Sequence, residues 1–276
     1  MTSRSPVRRV LLPCGGFGTR MQAVSGGAPK ELLPVGGEPV LLRVLRECAA
    51  SGIESMLVVV APHKGAVAEL ARDVAGRPGF PALADVVVQH EARGLADAIR
   101  LGRDFADGEP MAVALPDNLF VGAAPGLAQV IDAHQRTGSS VVAMVPVAAE
   151  DAERRASSPA YEGERDGDLF RIRRIPDKPR RATWAEPPPG AVTGVGRYVF
   201  TAEFHEAADE VARALPAGAE LDDIPVMQAL VARGRLVGRL MHGRFLDTGV
   251  PAGYRQADEL FSRLTGTPGT PGGTTP

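Results

Sequence analysis

The sequence predicts an α/β protein with a mainly parallel sheet and helices on both of its faces. Three observations predict it. Across the first 150 residues, short β-branched runs alternate with segments of helical period, as strand–helix–strand units require. The run Ser55–Ala61 reads as a buried strand, as a parallel sheet covered on both faces requires. With 44% hydrophobic and 23% charged residues in a chain of 276, there is material for a sizeable core.

The elements follow in order. Residues 7–13 read as the first strand. Residues 40–51 place Val40, Leu41, Val44, Leu45 and Cys48 on one helical face, and Gly52 ends that helix. Strands are expected at 55–61, 85–89, 111–115 and 141–146, and helices at 64–75, 95–105 and 127–137. The second half is less regular: strands at 169–175 and 192–200 flank a proline-rich stretch, and helices follow at 204–214, 222–233 and 253–264. It reads as an insertion that completes the same sheet and covers its active edge. One domain is expected over 1–264, with a nucleotide-binding part over about 7–150 and a second part over about 151–264. The tail at 265–276 holds only Thr, Gly and Pro, and is expected to be disordered.

Charge and composition exclude several classes. The 31 basic and 33 acidic residues leave a net charge of −2, so no general basic surface for nucleic acid exists. No apolar run approaches the roughly 18 residues of a membrane span. Two cysteines and five scattered histidines form neither a disulfide framework nor a zinc site. The start of the chain has no signal-peptide pattern, so a soluble, cytoplasmic protein is expected.

The most informative segment is Leu12-Pro13-Cys14-Gly15-Gly16-Phe17-Gly18-Thr19-Arg20, directly after the first strand. Its glycines let backbone N–H groups approach an anion, and Arg20 adds a fixed charge. It is not a Walker loop, which needs Gly-Lys-Ser/Thr, nor a dinucleotide fingerprint, whose third glycine is replaced by Met21. Ten residues past Arg20, Lys30 opens the core of Pro29-Lys30-Glu31-Leu32-Leu33-Pro34-Val35. Further on, Gln89 closes a strand five residues before Gly94, Leu115-Pro116-Asp117 ends another with a carboxylate, and Asp247 sits in Phe245-Leu246-Asp247-Thr248-Gly249. Parallel sheets bind ligands outside the carboxyl ends of their strands, which is where these residues fall.

The glycine loop ending in Gly-Thr-Arg and the Pro-Lys-x-Leu-x-Pro-Val segment, in this order and spacing, resemble the sugar-1-phosphate nucleotidylyltransferases, also called nucleotide-sugar pyrophosphorylases. The resemblance covers residues 7–258. It implies a Rossmann-like three-layer α/β/α fold with a mixed, mainly parallel sheet, of the nucleotide-diphospho-sugar transferase type. It also implies transfer of a nucleotidyl group from a nucleoside triphosphate to a sugar 1-phosphate, with release of pyrophosphate. UTP and glucose 1-phosphate lead; dTTP, ATP or GTP and another sugar or cyclitol 1-phosphate are the alternatives.

The resemblance assigns roles residue by residue. Gly15, Gly16, Gly18, Thr19 and Arg20 hold the triphosphate, and Lys30 neutralises charge at the α-phosphate. Gln89 and Gly94 contact the nucleobase, where an amide can both donate and accept and a glycine leaves room for a flat ring. Asp117 and Asp247 hold Mg²⁺. Asp177 stands where the family has a sugar-binding glutamate, Lys178 docks the sugar phosphate, and Glu162 and Gly196 lie in the sugar-binding part. A homo-oligomer, dimer or tetramer, is implied in the same way. Two competing classes are a regulator that has lost catalysis, opposed by intact Arg20, Lys30 and Asp117, and a glycosyltransferase. The latter's metal motif is mimicked by Asp166-Gly167-Asp168, whose position between two strand-like runs reads as a hairpin turn.

Overall fold

The computed structural model describes residues 5–147, 159–177 and 189–266. Strand β1 (Arg9–Cys14) leads through the glycine loop to a short helix α1 (Gln22–Ser25). A small hairpin, β2 (Pro34–Val35) and β3 (Glu38–Pro39), precedes α2 (Val40–Ala50). Then come β4 (Ser55–Val60), α3 (Gly65–Val74), β5 (Leu83–Val88), α4 (Leu95–Arg100) and α5 (Arg103–Ala106). Strands β6 (Met111–Ala114) and β7 (Asn118–Val121), helix α6 (Gly126–Thr137) and strand β8 (Ser140–Pro146) follow. The second half holds β9 (Ala160–Asp166), β10 (Leu169–Arg174), β11 (Val192–Phe200), α7 (Glu203–Ala214) and α8 (Asp223–Ala232). It ends with β12 (Leu236–Leu240), β13 (Arg244–Asp247) and α9 (Pro251–Thr265).

One nine-stranded sheet runs in the order β5-β4-β1-β6-β11-β8-β12-β10-β9. β1 pairs in parallel with β4 and β6, and β4 with β5, so their carboxyl ends share one edge. β11 runs antiparallel to both β6 and β8, which makes the sheet mixed. Side chains of a strand alternate between faces, and β1 shows it. Val10, Leu12 and Cys14 enter one core with residues of α2, α3 and α6, whereas Leu11 enters the other with residues of α4, α7 and α8. Three layers result.

The expected apolar face of α2 is buried as read: Val40, Leu41, Val44, Leu45 and Cys48. The expected helix at 95–105 is instead two short ones. They break at Gly102, where a Cβ would lie 2.5 Å from Leu11 Cδ1, so β1 leaves no room for a longer side chain. Five strands went unread in the sequence: β2, β3, β7, β12 and β13, each of two to five residues and too short for a periodic signal. Asp166-Gly167-Asp168 forms the turn of the β9–β10 hairpin, with Gly167 at φ 62°. Asp168 there binds Arg136 at 2.9 Å and Arg239 at 3.2 Å, a surface cluster rather than a metal motif. Among the described residues, no helix is long and apolar enough to cross a membrane.

Candidate active site

Two cavities lie at the shared carboxyl edge. The loop-side cavity, about 320 Å³, is lined by Gly15, Gly16, Phe17, Lys30, Gln89, Gly94 and Asp117 among others. The inner cavity, about 440 Å³, is lined by Arg20, Asp117, Asn118, Tyr161, Thr193, Gly196, Asp223 and Asp247 among others. Leu95, Leu115 and Asp117 line both, so Asp117 stands at their junction.

The loop after β1 is shaped by its glycines. Gly18 sits at φ 65°, a left-handed conformation that other residues adopt at a cost. A Cβ on Gly15 would lie 2.8 Å from Gln89 Oε1. Thr19 and Arg20 open a single 3₁₀ turn closed by Met21, which is fully buried; a core plug stands where a dinucleotide loop has its third glycine. Arg20 itself is exposed at the rim of the inner cavity.

Lys30 opens the 3₁₀ turn Lys30–Leu32 and donates to Asp117 Oδ2. Burial alone would lower its pKa, but the Asp117 carboxylate outweighs that and holds it above the usual lysine range. The reverse applies to Asp117: burial would raise it, and Lys30 holds it below the usual carboxylate range. The neighbouring Glu31 points the other way, into a buried pair with Lys64 Nζ at 2.8 and 3.0 Å. The segment is thus clamped from both sides.

Asp247 reaches the same place from β13, which pairs with β7 so that Asp247 lies opposite Asn118. Thr248 donates twice, from N and Oγ1, to the Asp117 carbonyl, each at 2.8 Å. A Cβ on Gly249 would lie 2.6 Å from Asp117 Oδ2 and 3.0 Å from Asp247 Oδ1, so the two carboxylates converge on that glycine. Burial, and then the charge of Asp117, push Asp247 above the usual carboxylate range. Two buried oxygen donors of this kind fit a hard divalent cation that takes its other ligands from phosphates and water. Among the described residues, no group of three or more His, Cys, Asp or Glu could hold a metal.

A saturated scaffold sits beneath. Arg197, fully buried on β11, binds Glu47 at 2.8 and 2.9 Å and donates to the carbonyls of Leu115, Gly196 and Asn118. Asn118 accepts from Gly196 N at 2.8 Å and donates to Asp117 Oδ1 at 3.0 Å. Gly196 is needed here because a Cβ would lie 2.5 Å from both Asn118 Oδ1 and Leu115 Cβ.

The structure places the other expected site residues as follows. Gln89 was expected to both donate and accept toward a base. Its Nε2 is already committed, to Asp97 Oδ2 at 2.9 Å and Gly94 O at 3.3 Å. Gly94 has a reason independent of any ring: its φ is 99°, and a Cβ would lie 2.4 Å from Leu221 O. That Leu221 carbonyl accepts from Ala96 N and Asp97 N, while Leu221 N donates to Arg93 O. Glu162 and Asp177 do not line the inner cavity. Strand alternation turns Tyr161 inward and Glu162 out, where Glu162 pairs with Arg174 at 2.7 and 3.0 Å. Asp177 is exposed, accepts from Gln228 Nε2 at 3.0 Å, and with Glu162 lines an outer hollow of about 640 Å³ that shares the Pro159 and Tyr161 wall with the inner cavity. Lys178 lies outside the described residues.

The residues that sequence reading missed are Glu31, Lys64, Glu47, Asn118, Tyr161, Arg197 and Asp223. Arg197 had a signal, a lone charge inside the apolar run Val195–Phe200. The rest had none, because their partners are remote in sequence.

Residues 9–262 match the family model described as nucleotidyl transferase. A Bacillus subtilis (strain 168) protein provisionally named UTP–glucose-1-phosphate uridylyltransferase is 32% identical over 268 residues, covering 90% of this chain and 94% of that protein. A second protein of that organism, named UTP–glucose-1-phosphate uridylyltransferase, is 28% identical, covering 90% and 88%. Among solved structures, a UDP-glucose pyrophosphorylase complexed with UDP-glucose superposes with a TM-score of 0.80 at 24% identity, covering 94% of this chain and 99% of that one.

Proposed function

This chain belongs to the nucleotidyl transferase family and is a sugar-1-phosphate nucleotidyltransferase; we propose that it joins UTP to glucose 1-phosphate, giving UDP-glucose and pyrophosphate. The observation that carries the reading is the convergence of Lys30, Asp117 and Asp247 at the junction of two cavities, with Arg20 at the rim. One cavity would take the nucleotide and the other the sugar phosphate, with the reacting phosphates meeting at Asp117.

A phosphate oxygen of the sugar phosphate attacks the α-phosphorus in line, and the bond to the leaving pyrophosphate breaks. A phosphate dianion is already nucleophilic, so no side chain needs to act as a base. The protein's part is positioning and charge neutralisation. Lys30, held as a cation by Asp117, would neutralise charge growing on the α-phosphoryl oxygens. Arg20 and the amides of Gly15, Gly16, Gly18 and Thr19 hold the triphosphate and the departing pyrophosphate. Mg²⁺ on Asp117 and Asp247 would supply the remaining charge neutralisation.

The test is pyrophosphate release from UTP, dTTP, ATP, GTP and CTP, each with glucose 1-phosphate and with other sugar and cyclitol 1-phosphates. Release is expected only when both substrates are present, and fastest with UTP and glucose 1-phosphate. Release with none of the pairs overturns the reading.

A further inference from the structure

We infer that Asp97 is a positioning residue for nucleobase selection: it fixes the Gln89 amide so that the loop-side cavity accepts only a base with a ring N–H donor. The inference rests on the nucleotide-binding reading of that cavity. A glutamine amide carries two N–H donors on one atom and an acceptor on the other. Both Nε2 donors of Gln89 face acceptors that belong to α4 and its entry, the Asp97 carboxylate at 2.9 Å and the Gly94 carbonyl at 3.3 Å. Rotating the amide by half a turn would set Oε1 against a carboxylate and a carbonyl, acceptor facing acceptor. The neighbours therefore decide which way the amide points. Oε1 is left toward Gly15, whose missing Cβ would lie 2.8 Å from it, in the wall of the cavity that both residues line. Asp97 is itself anchored, 3.7 Å from Arg100 one helical turn on, and Arg100 binds Asp209 at 2.9 Å.

A wall that offers an acceptor and withholds its donor has a definite polarity. Uracil and thymine present a ring N3–H opposite it, whereas cytosine presents a bare ring nitrogen of the same size in the same place. UTP and CTP therefore differ in what meets Oε1 while matching in ring size. A site built to hydrogen-bond a donor rejects the analogue lacking it by as much as about 10⁴-fold. The selection depends on Asp97 only through the amide, so the residue should touch specificity and leave the chemical step alone.

The experiment compares UTP, CTP and N3-methyl-UTP in the wild type, Asp97→Ala and Asp97→Asn, reading kcat and KM separately. It is paired with equilibrium binding of UMP and CMP to the same three proteins. The wild type should favour UTP over both analogues by on the order of 10³-fold or more in kcat/KM. Asp97→Ala should shrink that ratio by at least about tenfold, through a raised KM for UTP and a lowered one for CTP, with kcat for UTP within about twofold. Asp97→Asn can still offer a carbonyl to Nε2 and should recover most of the ratio. An unchanged UTP/CTP ratio in a folded Asp97→Ala, or a wild type that accepts N3-methyl-UTP as well as UTP, overturns the inference. If no triphosphate yields pyrophosphate, the proposed reaction fails by itself, and the UMP/CMP binding ratio still decides the role of Asp97. Should Asp97→Ala not fold, rejection of N3-methyl-UTP and CMP by the wild type, and the ratio in Asp97→Asn, decide it.

Discussion

Two cation–carboxylate pairs lie within a few residues of each other at the sheet edge, and they differ in kind. Arg197 has five N–H donors and spends all five, two on Glu47 and three on carbonyls, with no exposed surface. Lys30 has three donors and, among the described residues, makes one hydrogen bond, to Asp117, whose carboxylate also accepts from Asn118 and stands beside a second carboxylate, Asp247. The first pair is saturated and can only hold. The second is under-coordinated and faces two cavities, so it can exchange its partner for a phosphate. The contrast separates scaffold from chemistry better than burial does, since both pairs are largely covered.

The comparison can be broken in four ways. The largest effect is expected at Glu47→Ala, which strands a buried guanidinium and should cost about 3–5 kcal/mol of unfolding free energy in urea denaturation. A loss below about 1 kcal/mol would mean that Arg197 finds water, and that the pair is no scaffold.

Lys30→Ala should behave in the opposite sense. Turnover should fall by about 10²–10³, equivalent to roughly 2.7–4 kcal/mol of transition-state stabilisation, with stability down by about 1–3 kcal/mol, less than at Glu47→Ala because the cavities let water reach Asp117. Steady-state kinetics beside a melt measures both. More than half of wild-type activity in this variant removes Lys30 from the mechanism.

A smaller effect, with its sign reversed, is expected at Asp247. Its carboxyl is pushed up, so its ionised form costs the folded state stability. That cost is present at neutral pH and fades as pH falls through the raised value. Metal-free Asp247→Asn should therefore melt higher than the wild type at pH 7, with the two curves converging in acid, while its activity drops. A variant that melts lower at pH 7 contradicts the sign. The smallest effect belongs to Glu162→Gln. An exposed pair with Arg174 contributes less than about 0.5 kcal/mol, and turnover should stay within about twofold of the wild type. A tenfold change would return Glu162 to the site.

What was legible in the sequence was whatever is local. The glycine loop, the Lys30 segment and Asp117 are each read from consecutive residues, because a loop, a 3₁₀ turn and a strand end are local structures. The pairing of β7 with β13 joins residues about 125 apart in sequence, so the meeting of Asp117 and Asp247 rested on family resemblance alone. The outward placement of Glu162 was not legible for a simpler reason. A family resemblance supplies a residue's position along the chain but not its face, and on a strand one step decides between cavity and solvent. Gln89 shows a third limit. Its donors are consumed by Gly94 and Asp97 across a turn, and sequence records chemistry that a side chain could do, not what its neighbours have already claimed.

The Leu221 peptide also ties the two cavities together. Its N–H and C=O grip residues 93–97 beside the loop-side cavity, and Asp222, the next residue, caps the helix whose first residues Asp223 and Ile224 line the inner cavity. The two cavities are therefore geared together through a span of four residues. A ligand that shifted residues 93–97 would act on Asp223 through these bonds, and by thermodynamic reciprocity a ligand that settled against Asp223 would act back on the first by the same free energy. Coupling of this kind would let each substrate be felt through the backbone as well as directly at Asp117, which lines both cavities.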